Sequence, residues 1–147
     1  MEGAGDDVPG GDARTLSFAA YRIDPSLLDQ LLCYQRALLG ELEQGWGPDA
    51  MAAAHRKALA ASGLSQDVVE RALAVLRRFA GNREVARRLR ERAAAVDPER
   101  AGDLRGRLDA LDRELRERDD PDTIALLLEH ENPLLDLHRR LSHLLGP

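Results

Sequence analysis

The sequence predicts an all-α fold: a single-domain bundle of six or seven helices joined by short corners. Three observations predict it. Asp24-Pro25, Asp97-Pro98, Asp120-Pro121 and Asn132-Pro133 each pair an Asx residue with a proline. An Asx oxygen accepts the orphan N–H groups of a helix start, and proline at the first helical position gives up only an N–H that has no partner there. Between these points leucine, alanine and valine recur at helical spacing, without the strict alternation of a strand. Aromatic residues make up only 3% of the chain, so the core must be built from Leu, Ala and Val.

The elements follow in order. Residues 1–14 are rich in Gly and Asp and are expected to form a disordered acidic tail, leaving 15–147 as the helical domain. Leu16 to Tyr21 is more apolar and is expected to run extended along the bundle. A helix over Pro25 to Gln44 carries Leu27, Leu28, Leu31, Leu32, Leu38, Leu39 and Leu42 on one broad stripe, with Gln35 inside the stripe and Cys33 off it. After the Gly45-Trp46-Gly47-Pro48 turn, an alanine-rich helix covers Asp49 to Ser62 and stops at Gly63. A helix capped by Ser65 presents Val68, Val69, Ala72, Val75, Leu76 and Phe79, and Gly81-Asn82 is expected to break or kink it before a further helix from Arg83 to Val96. The next helix runs from Asp97-Pro98 to Arg118. A short one from Pro121 to Glu131 is apolar nearly all round at Ile124 to Leu128 and is expected to be central. The last runs from Pro133 to Leu145, completing a bundle around the first.

Charge and cysteine content narrow the function classes. A formal net charge of −5 argues against nucleic acid as the main partner. A single cysteine, Cys33, rules out an intrachain disulfide and points to a reducing compartment. No signal-peptide pattern and no apolar run of membrane-spanning length is seen, so the chain is expected to be cytoplasmic, with no membrane partner. Lys57 is the one lysine among 21 basic residues, read here as a genomic coding bias, and the source is expected to be bacterial.

Two stretches suggest contact surfaces. Leu104, Leu108, Leu111 and Leu115 form a seam one leucine wide. It is flanked by i,i+4 pairs of Asp103 with Arg107, Asp109 with Arg113, Asp112 with Arg116 and Glu114 with Arg118. The seam suits one partner helix, either a neighbour in the same chain or a second protein. Between Arg71 and Arg92 eight arginines face only Glu84 and Glu91, a local balance of +6, while ten acids and six arginines from Asp97 to Asp122 give −4. Arg77, Arg78, Arg87 and Arg88 are therefore candidate interaction residues together with the four leucines.

From Gly63 onward, Gly-Leu-Ser-x-x-Val-Val-x-Arg-x-Leu resembles the turn and second helix of a helix-turn-helix DNA-binding unit. The resemblance implies that Gly63 makes the turn, Ser65 caps the recognition helix and Val69 packs inward. The pattern departs from that family at Leu59, where a small residue is usual. Asp67 and Glu70 would stand where phosphate approaches.

No catalytic, cofactor-binding or metal-binding set is expected. The chain has no His-x-x-x-His, Cys-x-x-Cys or Glu-x-x-His, no phosphate-cradling glycine loop and no Gly-x-Ser-x-Gly. His55 and His138 lie on the apolar stripes of their helices and should point inward, while His143 faces away. Cys33 reads as an inert thiol. The function expected from the sequence is therefore non-catalytic: a small protein acting by association with a protein partner or with itself as a homodimer. A helix-turn-helix regulator is the alternative, and a helical enzyme or ligand-binding bundle using His55 and His138 is a third class.

Overall fold

The computed structural model describes residues 21–146, and the expected tail and most of the Leu16–Tyr21 segment lie outside them. Six helices follow one another: α1 (Pro25–Gln44), α2 (Pro48–Ser62), α3 (Gln66–Ala95), α4 (Pro98–Arg118), α5 (Pro121–Glu129) and α6 (Glu131–Leu145). There is no strand among the described residues.

Three of the four Asx-Pro starts form as read. Asp24, Asp97 and Asp120 each accept a hydrogen bond from the backbone N–H three residues on, with proline opening the helix. Asn132-Pro133 does not start α6. That helix begins two residues earlier at Glu131, after the single non-helical residue His130. Proline in a first turn still costs no hydrogen bond, so the earlier start is permitted. It also places Glu131 beside Arg83 and Arg90, at 3.6 and 3.5 Å.

The expected break at Gly81-Asn82 is absent, and α3 runs through it for 30 residues. A glycine inside a helix costs only about 1 kcal/mol relative to alanine. Tertiary contacts outweigh that cost. The Asn82 amide donates to the Leu111 carbonyl of α4 at 2.9 Å, and its Oδ1 accepts from Arg83. An asparagine that would otherwise compete with its own helix is thus occupied across the interface.

Antiparallel α1–α2 and α3–α4 hairpins make the frame. Gln30 reaches the Ser62 carbonyl and Lys57 reaches Glu41 across the first; Arg78 reaches Asp119 across the second. The α2–α3 corner is closed by Gly63, whose φ of 73° is left-handed and favours glycine, with its N–H on the Leu59 carbonyl at 3.0 Å. Helix α6 lies antiparallel to α3 and parallel to α1. The main core joins Leu28, Leu31, Phe79, Leu127, Leu134 and their neighbours, and a second cluster joins Tyr34, Leu38, Leu42, Ala54, Ala58 and Val69. Thr123, fully buried, ties the chain entry to α5: its hydroxyl accepts from the Ile23 N–H at 2.9 Å and donates to Asp120.

The four i,i+4 ion pairs expected along α4 are not formed. The shortest charged contact of Asp112 is with Arg83 of α3 at 2.8 Å. An exposed helix pair contributes only about 0.2–0.5 kcal/mol, so a buried guanidinium on the neighbouring helix captures the carboxylate.

Glu84 clamps α3 to α6. Its Oε1 lies 2.8 Å from Arg139, its Oε2 lies 3.6 Å from Arg87, and the side chain is 14% exposed. The Arg139 hydrogen bond holds the Glu84 carboxyl below the usual carboxylate range, against the opposing effect of burial and with help from the Arg87 charge. A depressed folded pKa adds stability that is present above the unfolded carboxylate pKa and lost as pH falls through the folded one. Glu84→Gln should therefore cost about 1 kcal/mol near neutral pH. Urea midpoints measured from about pH 7 to pH 3 should show the gap to the parent closing in acid. A gap independent of pH would contradict the assignment.

Candidate functional site

The sequence-derived interaction residues do not form one face. Leu104 and Leu115 are buried, and Leu108 and Leu111 half-buried, as α4 packs on α3 of the same chain. Arg78 is held by Asp119 at 2.7 Å and Arg87 by Glu84 and Glu91. Arg88 is exposed. Of the eight arginines from 71 to 92, five pair with carboxylates among the described residues: Arg71, Arg78, Arg83, Arg87 and Arg90. At the start of α3, Asp67 pairs with Arg71 at 3.3 Å, Glu70 accepts from Gln66, Ser65 caps the helix and Val69 is buried.

Arg77 belongs elsewhere. It stands at a cavity of about 350 Å³ between α1, α3 and α6. Helix α3 contributes Leu73, Leu76, Arg77 and Ala80, which recur at three- and four-residue steps and so share one face. Helix α1 contributes Tyr34, Gln35 and Leu38. Helix α6 contributes Leu134, His138, Leu141, Ser142 and Leu145 along one stripe. Leucine is therefore the commonest residue of the wall, with a few polar groups set into it, as small-molecule sites commonly are.

Those polar groups are unevenly satisfied. Gln35 is only 9% exposed and its Oε1 is buried with no hydrogen-bond partner. Burying a carbonyl oxygen without a donor costs about 1–3 kcal/mol, so the position is a destabilising choice unless something meets it. Arg77, among the described residues, has no carboxylate within 4 Å. Its charge is felt at Tyr34, whose phenol is pushed up by burial and pulled back by Arg77. His138 is half-buried at the same cavity.

His55 does not join it. The Tyr34 hydroxyl meets His55 Nδ1 at 2.6 Å, and His55 Nε2 meets Gln66 Oε1. Gln66 in turn donates to Glu70. The Tyr34 ring thus faces the cavity while its hydroxyl begins a chain that fastens α2 and the start of α3 to α1. Cys33 is exposed, with its thiol 3.5 Å from the Ala61 carbonyl.

Compared with family models, curated proteins and solved structures, the chain matches none. The site therefore rests on its own geometry. Among the described residues no three His, Cys, Asp or Glu side chains are grouped to hold a metal ion, and no helix is long and apolar enough to cross a membrane.

In the sequence Gln35 and His138 read as polar interruptions of two leucine stripes, Arg77 reads as part of a basic surface and Ser142 carries no signal; that all four line one cavity is a product of packing. The available signal was the coincidence of the interruptions: one amide and one imidazole, each alone on an otherwise apolar face.

Proposed function

We propose that the protein is a non-catalytic binding module whose site is the α1–α3–α6 cavity, and that it takes a small molecule with an apolar body and a polar end. The observation that carries this reading is the cavity wall itself, six leucines from three helices with Gln35, Arg77, His138 and Ser142 set among them. The volume supports a modest ligand, near the lower end of the range of about 300–1,000 Å³ for small-molecule pockets.

Calorimetric titration with octanol tests this. The expected result is saturable binding at one site per chain, with a negative heat-capacity change from burial of the alkyl chain. Ser142→Phe, which fills part of the cavity, should abolish binding while leaving the thermal melt in place. Heat that never saturates, or binding unchanged in Ser142→Phe, would overturn the reading.

A second reading, self-association through α4, draws on one groove. Val85 is 39% exposed and lines it with Leu89 and Leu111, flanked by Arg107 and Glu114. One charge of each sign beside an apolar strip is self-complementary under a two-fold axis. Leu111→Asp should lower a concentration-dependent solution mass if that interface forms; a mass that stays monomeric in the parent contradicts it.

A further inference from the structure

We infer that two copies of this chain associate through their α3–α4 grooves, with α4 antiparallel to its copy and a two-fold axis passing between Ala110 and Leu111. The inference rests on the self-association reading above and adds the symmetry and the register. Three observations carry it.

The first is the groove. Helix α4 packs mainly on α3, and the cleft along their shared edge is lined by Val85, Leu89, Ala110 and Leu111, with Arg107 and Glu114 beside them. A second cleft continues it past Glu114 to Arg118 and Asp119. Ala110 is exposed, and its short side chain lets another helix come close.

The second is the order of the charges. Asp103, Arg107, Glu114 and Arg118 are exposed and stand at steps of one or two turns, so they share a side of α4. Their signs run minus, plus, minus, plus. The midpoint of Arg107 and Glu114 falls between Ala110 and Leu111, and so does the midpoint of Asp103 and Arg118. Turning a second α4 about that point sets Arg107 of each copy opposite Glu114 of the other, and Asp103 opposite Arg118. Each flanking charge then meets its opposite sign, and the apolar residues meet at the centre. A two-fold axis along the helix would instead oppose Arg107 to Arg107 and Glu114 to Glu114, so the charges select the antiparallel pairing.

The third is that these charges are not engaged within the chain. Asp103 is spaced for Arg107, and Glu114 for Arg118, yet among the described residues none of the four makes an ion pair. Asp112 of the same helix, by contrast, is taken by Arg83 of α3. The four groove-side charges are left for another molecule, where they fix register and orientation more than affinity.

The test is solution mass against concentration, by sedimentation equilibrium, for the parent, Arg107→Glu, Glu114→Arg and the double variant. The parent is expected to show a monomer–dimer equilibrium. Each single variant sets two like-charge contacts across the axis and should weaken the dimer by about tenfold. The double variant reverses both signs and should regain the parental affinity. An equimolar mixture of the two single variants should form a mixed dimer of near-parental affinity, since each supplies the sign that the other lacks. Circular dichroism should be the same throughout, because both side chains are exposed. A dimer that the single variants leave intact, or a mixture no tighter than either variant alone, would overturn the register and leave association through some other contact. A parent that stays monomeric at every concentration would overturn the register and the association reading together.

Discussion

Arg83→Ala is expected to destabilise the protein by about 2–3 kcal/mol, at the low side of what breaking a buried ion pair costs. Arginine 83 is 6% exposed in its side chain and sits in the middle of α3, facing α4 and α6 at once. It bonds Asp112 at 2.8 Å, donates to Asn82 and lies 3.6 Å from Glu131. Alanine would leave Glu131, which is 19% exposed, with Arg90 as its remaining cation. Asp112 is half-exposed and regains water, which keeps the cost below the full range for such pairs. The arginine stem also fills space that alanine cannot. Arg83→Lys should fall between, because an ammonium cannot fork between two helices. Urea unfolding reports the loss as a shifted midpoint with an unchanged slope. A change within about 0.5 kcal/mol would show that the three-helix junction does not depend on this charge.

Phe79→Ala should cost more, about 3–5 kcal/mol. Phe79 has no exposed surface and lies in the main core with Leu31, Leu127 and Leu134. The chain holds only two phenylalanines, so no second aromatic residue of that kind stands ready to close the void within the described core. Natural domains are stable by about 5–15 kcal/mol, and the loss would consume a large part of that. Thermal melting and urea unfolding should both move strongly. A variant that melts within a few degrees of the parent would mean that the leucines collapse into the space, and that the core is looser than its packing indicates.

Much of the fold was legible in the sequence because its signals are local. An Asx side chain before a proline acts within one turn, and leucine stripes at helical spacing report one face of one helix. The failures are the places where distant residues decide. Gly81-Asn82 carries a local break signal, yet Asn82 is held by a carbonyl 29 positions away on α4. Asp112 is spaced for Arg116 but is taken by Arg83. The start of α6 moves to Glu131, where Arg83 and Arg90 meet it. The arginines between 71 and 92 read as one basic face by composition. On a 30-residue helix they point to different sides: Arg71, Arg78, Arg83, Arg87 and Arg90 meet acids, and Arg77, Arg88 and Arg92 do not among the described residues. The candidate site was legible only in part for the same reason. Gln35 and His138 each stand out alone within a leucine stripe, but that both line one cavity between α1, α3 and α6 is a property of packing.

Locating a bound molecule on the protein tests whether the α1–α3–α6 cavity receives a ligand. Uniformly ¹⁵N-labelled protein titrated with octanoate should show saturable shifts centred on the Gln35 side-chain amide, Arg77, His138 and Leu141. Residues of the α4 groove, Val85 and Leu111, should stay in place. Shifts confined to that groove, or scattered over exposed leucines without saturation, would contradict the claim.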